Sequence, residues 1–272
     1  MSLEVHSLAS GSSGNAMLVR GQHGDLLLDC GMPRSYIETA VTSAGSSMDR
    51  LRAIVLTHEH VDHARSALAM ARRYRIPLAG SPGTLRVVTA SDETVPMLPM
   101  QPHETMTIEE FTVTGYPVSH DAHQPFSFVV GAGATQMCYA VDLGRLEDSL
   151  LQACAATSLV VIEANHDRDR LMRGPYGAFL KDRILGLKGH LCNDEAARMI
   201  AEVSSGDRPT QFWLAHLSAV NNSPRTALHI ANRALNKASR RHCAVEVAQR
   251  DRTSLHWSSS HHWWQPQLAL AW

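Results

Sequence analysis

The stretch Leu56-Thr57-His58-Glu59-His60-Val61-Asp62-His63 follows an apolar run and leads into a helix-like run from Ala64 to Tyr74. In an extended segment side chains alternate, so His58 and His60 point to the same side. Asp62 and His63 follow where the chain bends into the helix, and they face the same space from a second direction. Burying this cluster without a metal would leave several polar groups unsatisfied. The pattern therefore predicts two metal ions side by side, bound by imidazoles and carboxylates.

Composition and charge narrow the class of protein. The chain has 272 residues, of which 44% are hydrophobic, and its formal net charge is −1. We expect one domain over 1–272, with a C-terminal extension over 257–272 as an open question. The charge excludes a uniformly basic nucleic-acid binder, so an anion site must be a local patch. We expect no membrane span and no signal peptide. Five scattered cysteines without a Cys-x-x-Cys pair indicate reduced thiols and a cytoplasmic protein.

Hydrophobic patterning predicts an α/β protein in which strands and helices occur in both halves. Strands are predicted over 3–9, 16–20, 26–31, 51–56, 76–79, 111–118, 126–130, 137–141, 159–162 and 212–214, and helices over 34–44, 64–74, 82–89, 146–156, 194–204 and 224–240. Residues 91–103 are not assigned.

Ligand-type residues recur at the points where predicted strands stop. They are Asp29, His58, His120, Asp142, Glu163 and His216. Each alone fits a turn residue. Six in register favour one shared site, because the carboxyl ends of strands form the sites of open α/β sheets.

These residues, in this order, resemble the metallo-β-lactamase superfamily across nearly the whole chain. Leu28-Asp29-Cys30-Gly31 is similar to the first motif of that superfamily and His58 to His63 to the second. His120, Asp142 and His216 resemble the third, fourth and last motifs. The resemblance implies a four-layer αββα sandwich with a dinuclear site at one edge.

A closer resemblance is to the YycJ/VicX/WalJ branch. It is carried by the stretches 8–15, 163–167, 189–193 and 216–218, together with Asn221-Asn222. The branch usually has Ser at the positions of Ala164 and Cys192, neither of which is an expected metal ligand. Members are linked to DNA exonuclease activity, so the resemblance implies a dinuclear-metal-dependent hydrolase of phosphodiester bonds, of the exonuclease type.

The resemblance also assigns the metal ligands. Metal 1 takes His58, His60 and His120, metal 2 takes Asp62, His63 and His216, and Asp142 bridges them. A bridging carboxylate agrees with the chemistry, because a carboxylate can bind two cations and an imidazole cannot. The ions would share a hydroxide of lowered pKa, and His/Asp sites accept Zn, Mn or Fe. Asp62 counts as both ligand and catalytic residue. Asp29 is expected to orient a ligand histidine or, alternatively, to be a turn residue.

A general-acid pair is predicted at Glu163 and His190. His190 lies just before a helix start at Asn193, which resembles superfamily nucleases in which such a histidine protonates the leaving oxygen. Glu163 matches the acid that assists it, and a carboxylate beside His190 would raise the pKa of that imidazole. The alternative is a helix-capping histidine with a buried salt link.

Candidate substrate contacts come from a small-residue loop and a basic segment. They are Ser12, Ser13, Asn15, Asn165, His166, Arg168, Arg170 and Asn221. Backbone N–H groups of the loop and arginine forks of the segment 168–183 suit phosphate; a tight turn and a solvated helix face are the alternatives. The near-neutral charge favours a short or end-bound substrate, either a DNA or RNA end or a cyclic or small phosphodiester.

Other functions remain open at the level of sequence. A thioester hydrolase of the glyoxalase II type would use the same metals but would not need His190. A lactamase is disfavoured because no cysteine ligand matches, and a diiron redox module is disfavoured because His60 stands where a glutamate is usual. A non-catalytic scaffold is disfavoured by the complete ligand set. The oligomeric state is left open.

Overall fold

The first sheet is built mainly from the N-terminal part of the chain. The computed structural model describes residues 2–90, 92, 94–204, 209–240 and 242–260. The strands of this sheet are β1 (Glu4–Ala9), β2 (Ala16–Arg20), β3 (Asp25–Leu28), β4 (Leu51–Leu56), β5 (Leu78–Gly80), β6 (Met97–Pro99) and β14 (Leu255–Ser258), in the order β14-β1-β2-β3-β4-β5-β6. The strands from β3 to β6 run parallel, so their carboxyl ends meet at one edge.

The second sheet has the same size and a similar division. Its strands are β7 (Thr105–Ile108), β8 (Phe111–Pro117), β9 (Phe126–Ala132), β10 (Thr135–Ala140), β11 (Leu159–Glu163), β12 (Gln211–Ala215) and β13 (Ala244–Val247), in the order β13-β12-β11-β10-β9-β8-β7. The strands from β7 to β10 are antiparallel, and those from β10 to β13 are parallel.

The described helices are α1 (Arg34–Ser43), α2 (Val61–Ala64), α3 (Ala67–Tyr74), α4 (Pro82–Val88), α5 (Asp148–Ala155), α6 (Arg168–Arg173), α7 (Ala178–Leu185), α8 (Asn193–Val203) and α9 (Pro224–Lys237). Helices α1, α3 and α4 pack on the outer face of the first sheet, and α5, α8 and α9 pack on that of the second. No described helix combines the length and apolar character needed to cross a membrane.

Three apolar cores define the layers. The central core lies between the sheets and contains Phe128 and Trp213. A second core packs Met70 of α3 against the outer face of the first sheet, and a third packs Ile200 of α8 against Phe212 of the second sheet. Helix, sheet, sheet and helix therefore form the four-layer αββα sandwich, and the predicted fold is confirmed.

Local differences from the predicted elements have physical reasons. The helix expected from Ala64 begins at Val61 and is interrupted before Ala67, so it forms α2 and α3. Helices α6 and α7 were not predicted, because α6 buries only Leu171 and α7 buries no residue. Neither therefore shows the apolar periodicity that identifies a helix in sequence. The short strand β6 lies within the unassigned residues 91–103.

The C-terminal part of the described chain completes the first sheet. Trp257 in β14 lies opposite Val5 of β1 and is buried in the central core. The boundary expected at residue 257 thus falls inside a strand, and residues 261–272 of the expected extension lie outside the described residues. One domain over the whole chain stays a prediction.

The loops after β1 and β3 and the start of α2 meet in close backbone contact at Gly31. Its N–H donates to the Asn15 carbonyl oxygen at 2.9 Å, and the Asn15 N–H donates to the Asp62 carbonyl oxygen at 2.8 Å. A Cβ atom on Gly31 would lie only 1.7 Å from the Asp62 carbonyl oxygen. Glycine at this position therefore lets the segment carrying Asp62 lie against the end of β3.

We expect Gly31→Ala to lower the free energy of unfolding by about 3 kcal/mol, because the added methyl group must separate packed backbone. Gly177→Ala is the matched control, since a Cβ there meets nothing within 4 Å. Gly177→Ala should lower the free energy of unfolding by less than about 1 kcal/mol, because it loses only a favourable helix N-cap residue. Urea denaturation followed by circular dichroism measures the free energy of unfolding of both variants. Equal values would contradict the close backbone contact at Gly31.

Candidate metal centre

The seven predicted metal ligands converge at the edge where strands of both sheets end. Four of the segments that carry them follow strands directly: His58 and His60 come after β4, His120 after β8, Asp142 after β10 and His216 after β12. Asp62 and His63 lie in the first turn of α2. Their ligand atoms form three overlapping groups, in each of which all atoms lie within 4.8 Å of one another.

The first group consists of His58, His60 and His120. His58 Nε2 faces His60 Nδ1 at 3.0 Å, and the rings of His58 and His120 meet edge to face. The Nδ1 atom of His120 lies 3.2 Å from the Gly189 carbonyl oxygen. Because a carbonyl can only accept, Nδ1–H of His120 donates there and Nε2 is left for a cation.

The second group consists of Asp62, His63 and His216. His63 Nε2 and His216 Nε2 lie 3.6 Å and 3.5 Å from the same oxygen, Oδ2 of Asp62. His216 Nε2 is buried and has no hydrogen-bond partner among the described residues. Two imidazole nitrogens and one carboxylate oxygen around a common space form a donor set that suits a divalent metal.

Asp142 lies between the two groups. Its Oδ2 is 2.6 Å from His63 Nε2 and 3.7 Å from His58 Nε2, and its Oδ1 is 3.1 Å from His216 Nδ1. None of these approaches has hydrogen-bond geometry, so both buried oxygens lack such a partner in the described part of the chain. Burial would raise the pKa of Asp142, but His216 and His63 outweigh it and hold that pKa well below its usual value. A buried charged carboxylate of this kind fits a site for cations.

Asp29 orients His63 from behind. His63 Nδ1 lies 2.7 Å from Asp29 Oδ2, and since the carboxylate can only accept, Nδ1 carries the proton. Asp29 also accepts hydrogen bonds from Tyr139 Oη at 3.1 Å and from the Thr57 N–H at 2.9 Å. With Nδ1 protonated, Nε2 of His63 is left as the donor atom, 2.6 Å from Asp142 Oδ2 and 3.0 Å from Asn15 Nδ2, which is how a partner carboxylate prepares a histidine ligand.

Glu163 contacts both a ligand-type histidine and His190. Its Oε1 accepts from His190 Nδ1 at 2.8 Å and from His216 Nδ1 at 2.9 Å. Its Oε2 accepts from the backbone N–H groups of Leu143 at 2.8 Å and Leu191 at 3.2 Å. Burial alone would raise the pKa of Glu163, but His190 and His216 outweigh it and lower that pKa to about 2. The side chain is therefore a buried anion held by four donors.

His190 lies at the inner end of the cavity beside this anion. Its Nδ1 is 3.0 Å from Asp142 Oδ1 in addition to its contact with Glu163. Burial would lower the pKa of His190, but the carboxylates of Glu163 and Asp142 outweigh it and raise that pKa to about 10. The imidazole is therefore protonated at neutral pH, as a proton donor must be.

Three residues of the site adopt a left-handed backbone conformation. Asp29, Asp142 and His216 have φ values of 59°, 57° and 54°. Each lies within two residues of the end of its strand, where the turned backbone directs the side chain into the site. Such conformations cost about 1–2 kcal/mol per residue in L-amino acids, and strain of this kind clusters at functional sites.

A cavity of about 260 Å³ opens onto these side chains. Its lining includes the ligand-type residues His60, Asp62, His120, Asp142, His190 and His216, together with Tyr176, Leu180, Arg183, Ile184 and Lys188 from the segment around α7. Of the predicted substrate contacts, Ser12 and Asn165 line the cavity. The others, Ser13, Asn15, His166, Arg168, Arg170 and Asn221, do not.

Several of these residues have other contacts. Arg168 extends toward α8, where its Nε lies 3.1 Å from Cys192 Sγ and its Nη2 lies 2.9 Å from Glu195 Oε1. The Asn15 side chain is buried against the loop backbone, and His166 is buried behind the cavity wall. Two cations line the cavity: Arg183, which ends the basic segment 168–183 predicted to suit phosphate, and Lys188, which lies beyond that segment. Their only signal was the basic composition of the segment around α7.

Comparison with known proteins agrees with this arrangement. Residues 25–217 match a family model described as a beta-lactamase superfamily domain. The chain is 30% identical over 230 residues to exodeoxyribonuclease YycJ of Bacillus anthracis, covering 84% of this chain and 87% of that protein. It is 31% identical over 220 residues to exodeoxyribonuclease WalJ of Streptococcus pneumoniae, covering 79% and 81%. The metallo-beta-lactamase fold protein YhfI from Bacillus subtilis has the same fold, with a TM-score of 0.73 at 16% identity over 94% of this chain and 99% of that one. The chain therefore belongs to the metallo-β-lactamase superfamily, as its sequence motifs predicted.

Proposed function

We propose that the protein is a metal-dependent nuclease that hydrolyses phosphodiester bonds at the ends of DNA or RNA. The observation that carries this proposal is the buried Asp142 carboxylate, which lies between two histidine groups and beside the Glu163–His190 pair. Asp142 and His190 both line one cavity, so cations and a proton donor would act on the same bond. Two relatives named exodeoxyribonuclease, similar over most of the chain, support the same substrate class.

The donor set supports two ions that share Asp142. One would be held by His58, His60 and His120 and the other by Asp62, His63 and His216. Imidazole and carboxylate donors suit Zn, Mn or Fe. When bound, such cations neutralise charge on the phosphoryl oxygens and lower the pKa of a water molecule toward neutrality.

The chain's own residues supply the proton and its position. Glu163 holds His190 through Nδ1, so the other ring nitrogen is the one available to a substrate in the cavity. There the imidazolium donates its proton to the oxygen that leaves phosphorus, and the buried anion stabilises the charged form until transfer. Because Glu163 also holds His216, the proton donor and a metal ligand keep a fixed relative position.

The size and charge of the site favour a substrate end over the interior of a long polymer. The cavity holds about 260 Å³, and the net charge of the chain is −1. A short contact with few phosphates fits both values, because each neutralised phosphate needs a cation. The same volume also suits a cyclic or small phosphodiester, which is the second candidate.

We place the enzyme in the cytoplasm, since its five cysteines are free thiols.

We expect Asp142→Asn to lose at least one of the two proposed ions, because a neutral amide cannot bridge two cations as a carboxylate does. Inductively coupled plasma mass spectrometry of the purified proteins measures this. Asp194→Asn, an exposed change in the first turn of α8, is the control and should keep the wild-type metal content. Full metal content in Asp142→Asn would exclude the bridging role.

We expect His190→Ala to keep its metal and to hydrolyse oligonucleotides at least about a hundredfold more slowly, since it lacks the proton donor. The loss should be smaller for bis-p-nitrophenyl phosphate, whose leaving group needs no proton. His229→Ala, at an exposed position of α9, is the control. An equal loss on both substrates would argue against proton donation, and unchanged turnover would exclude it.

The substrate class is tested with 5′-labelled single-stranded DNA, duplex DNA and RNA, a cyclic phosphodiester and a glutathione thioester, each with added Mn or Zn. We expect stepwise release of nucleotides from a polymer end, because the cavity accepts little more than one end. Hydrolysis of the thioester with every phosphodiester left intact would overturn the proposal.

A further inference from the structure

The large apolar side chains that the structure leaves exposed concentrate beside the cavity. Met172, Phe179, Leu180, Leu185 and Leu187 all lie in a single short stretch around α7. Phe179 is 84% exposed and Leu187 is 71% exposed. Apolar side chains that stay exposed do not contribute to the stability of the fold. Several of them in one short stretch therefore indicate a binding surface. We call residues 174–188, which include α7, the cap segment.

The cap segment is continuous with the site. Tyr176, Leu180, Arg183, Ile184 and Lys188 from this segment line the cavity together with members of the histidine cluster. Phe179 lies four residues before Arg183 on α7, so the two side chains are neighbours on the helix surface. Phe179 does not itself line the cavity, but it lies beside a cation and next in sequence to Leu180, both of which do.

The same region carries a local positive charge. Within residues 174–188 the sequence has three cations, Lys181, Arg183 and Lys188, and one acid, Asp182, whereas the whole chain has a net charge of −1. Arg183 Nε donates to Asp121 Oδ2 at 2.7 Å, which positions its guanidinium at the cavity mouth. Lys188 forms no ion pair with any residue that the structure describes. One exposed aromatic ring, that of Phe179, beside cations that line the cavity of a proposed phosphodiesterase matches a surface for single-stranded nucleic acid.

We propose that the cap segment binds the terminal nucleotides of a single-stranded nucleic acid, with Phe179 stacking on a base and Arg183 and Lys188 holding the flanking phosphates. This inference rests on the proposed nuclease function and names its substrate as an unpaired end. Stacking needs an open base face, which a single strand offers and the interior of a duplex does not. Tyr176, inside the cavity, is placed to contact the nucleotide next to the scissile bond.

A second copy of the chain fits this surface less well. In a two-fold symmetric dimer the same patch would face itself. The excess of cations in the cap segment would then be brought against an identical excess. Like charges brought together at an interface disfavour association. A single-stranded polyanion, in contrast, gains from both the cations and the exposed ring of Phe179.

The test compares wild-type metal-loaded enzyme with Phe179→Ala, Phe179→Trp and the control Met97→Ala, an exposed apolar change on β6. For each we measure kcat and KM on a 12-nucleotide single-stranded DNA and kcat/KM on bis-p-nitrophenyl phosphate. In Phe179→Ala the kcat/KM for DNA divided by the kcat/KM for bis-p-nitrophenyl phosphate should fall about tenfold. The fall should come from a higher KM for DNA and match the loss expected for one stacked base. Phe179→Trp should restore the ratio, and Met97→Ala should keep it.

Binding gives an independent reading. A labelled 12-nucleotide phosphorothioate single strand, which resists hydrolysis, is titrated by fluorescence anisotropy at several salt concentrations. We expect Phe179→Ala to bind the strand about tenfold more weakly. In Lys188→Ala the slope of the logarithm of the binding constant against the logarithm of the salt concentration should be smaller by about one unit. A blunt duplex of the same sequence should lose much less affinity in Phe179→Ala.

The outcomes separate the two proposals. Wild-type enzyme that cleaves no phosphodiester would refute the proposed function itself. Enzyme that cleaves DNA with an unchanged ratio and unchanged binding in Phe179→Ala would refute the role of the cap segment alone. Light scattering that shows a wild-type dimer and a Phe179→Ala monomer with equal DNA binding would assign the surface to self-association and overturn the inference.

Discussion

The structure depends on one buried charge. Asp142 is 2% exposed, and neither of its oxygens has a partner of hydrogen-bond geometry among the described residues. Removing a carboxylate from water without compensation costs several kcal/mol. Imidazoles approach it from several sides, which places the donors of the two proposed cation sites around a shared anion. The features around it serve to keep those donors at fixed positions.

Two further buried carboxylates provide that support. Asp29 fixes the tautomer of His63 from the first sheet, and Glu163 fixes that of His216 from the second. Each sheet thus contributes one orienting anion, and both anions lie at the edge where strands end. Glu163 also holds His190, so a change in one carboxylate would alter both the metal surroundings and the proton donor. Electrostatic contributions in such a network are strongly coupled.

Much of this arrangement follows from patterns that are local in sequence. The alternation of His58 and His60 and the placing of acids and histidines at strand ends predicted the convergence of the ligand-type residues. The four-layer fold was predicted from the resemblance that these motifs carry. The cap segment could not be predicted in the same way, because α7 buries no residue and so lacks a periodic signal. Arg183 and Lys188 line the cavity while Arg168 binds α8, a distinction set by contacts between distant elements. The contacts of Glu163 with both His190 and His216 could not be predicted either, because they depend on how distant elements pack in three dimensions.

The pairing of β14 with β1 has a consequence for biosynthesis. The ribosome makes β1 well before its partner on the outer side, which comes from residues 255–258. Until then the nascent protein carries an open strand edge, and an unpaired edge is a template for intermolecular pairing. The helices and the second sheet can form during this interval, whereas the first sheet cannot close. We therefore expect the unpaired edge of β1 to be the part of the nascent protein that needs chaperones and that starts inclusion bodies during rapid overexpression.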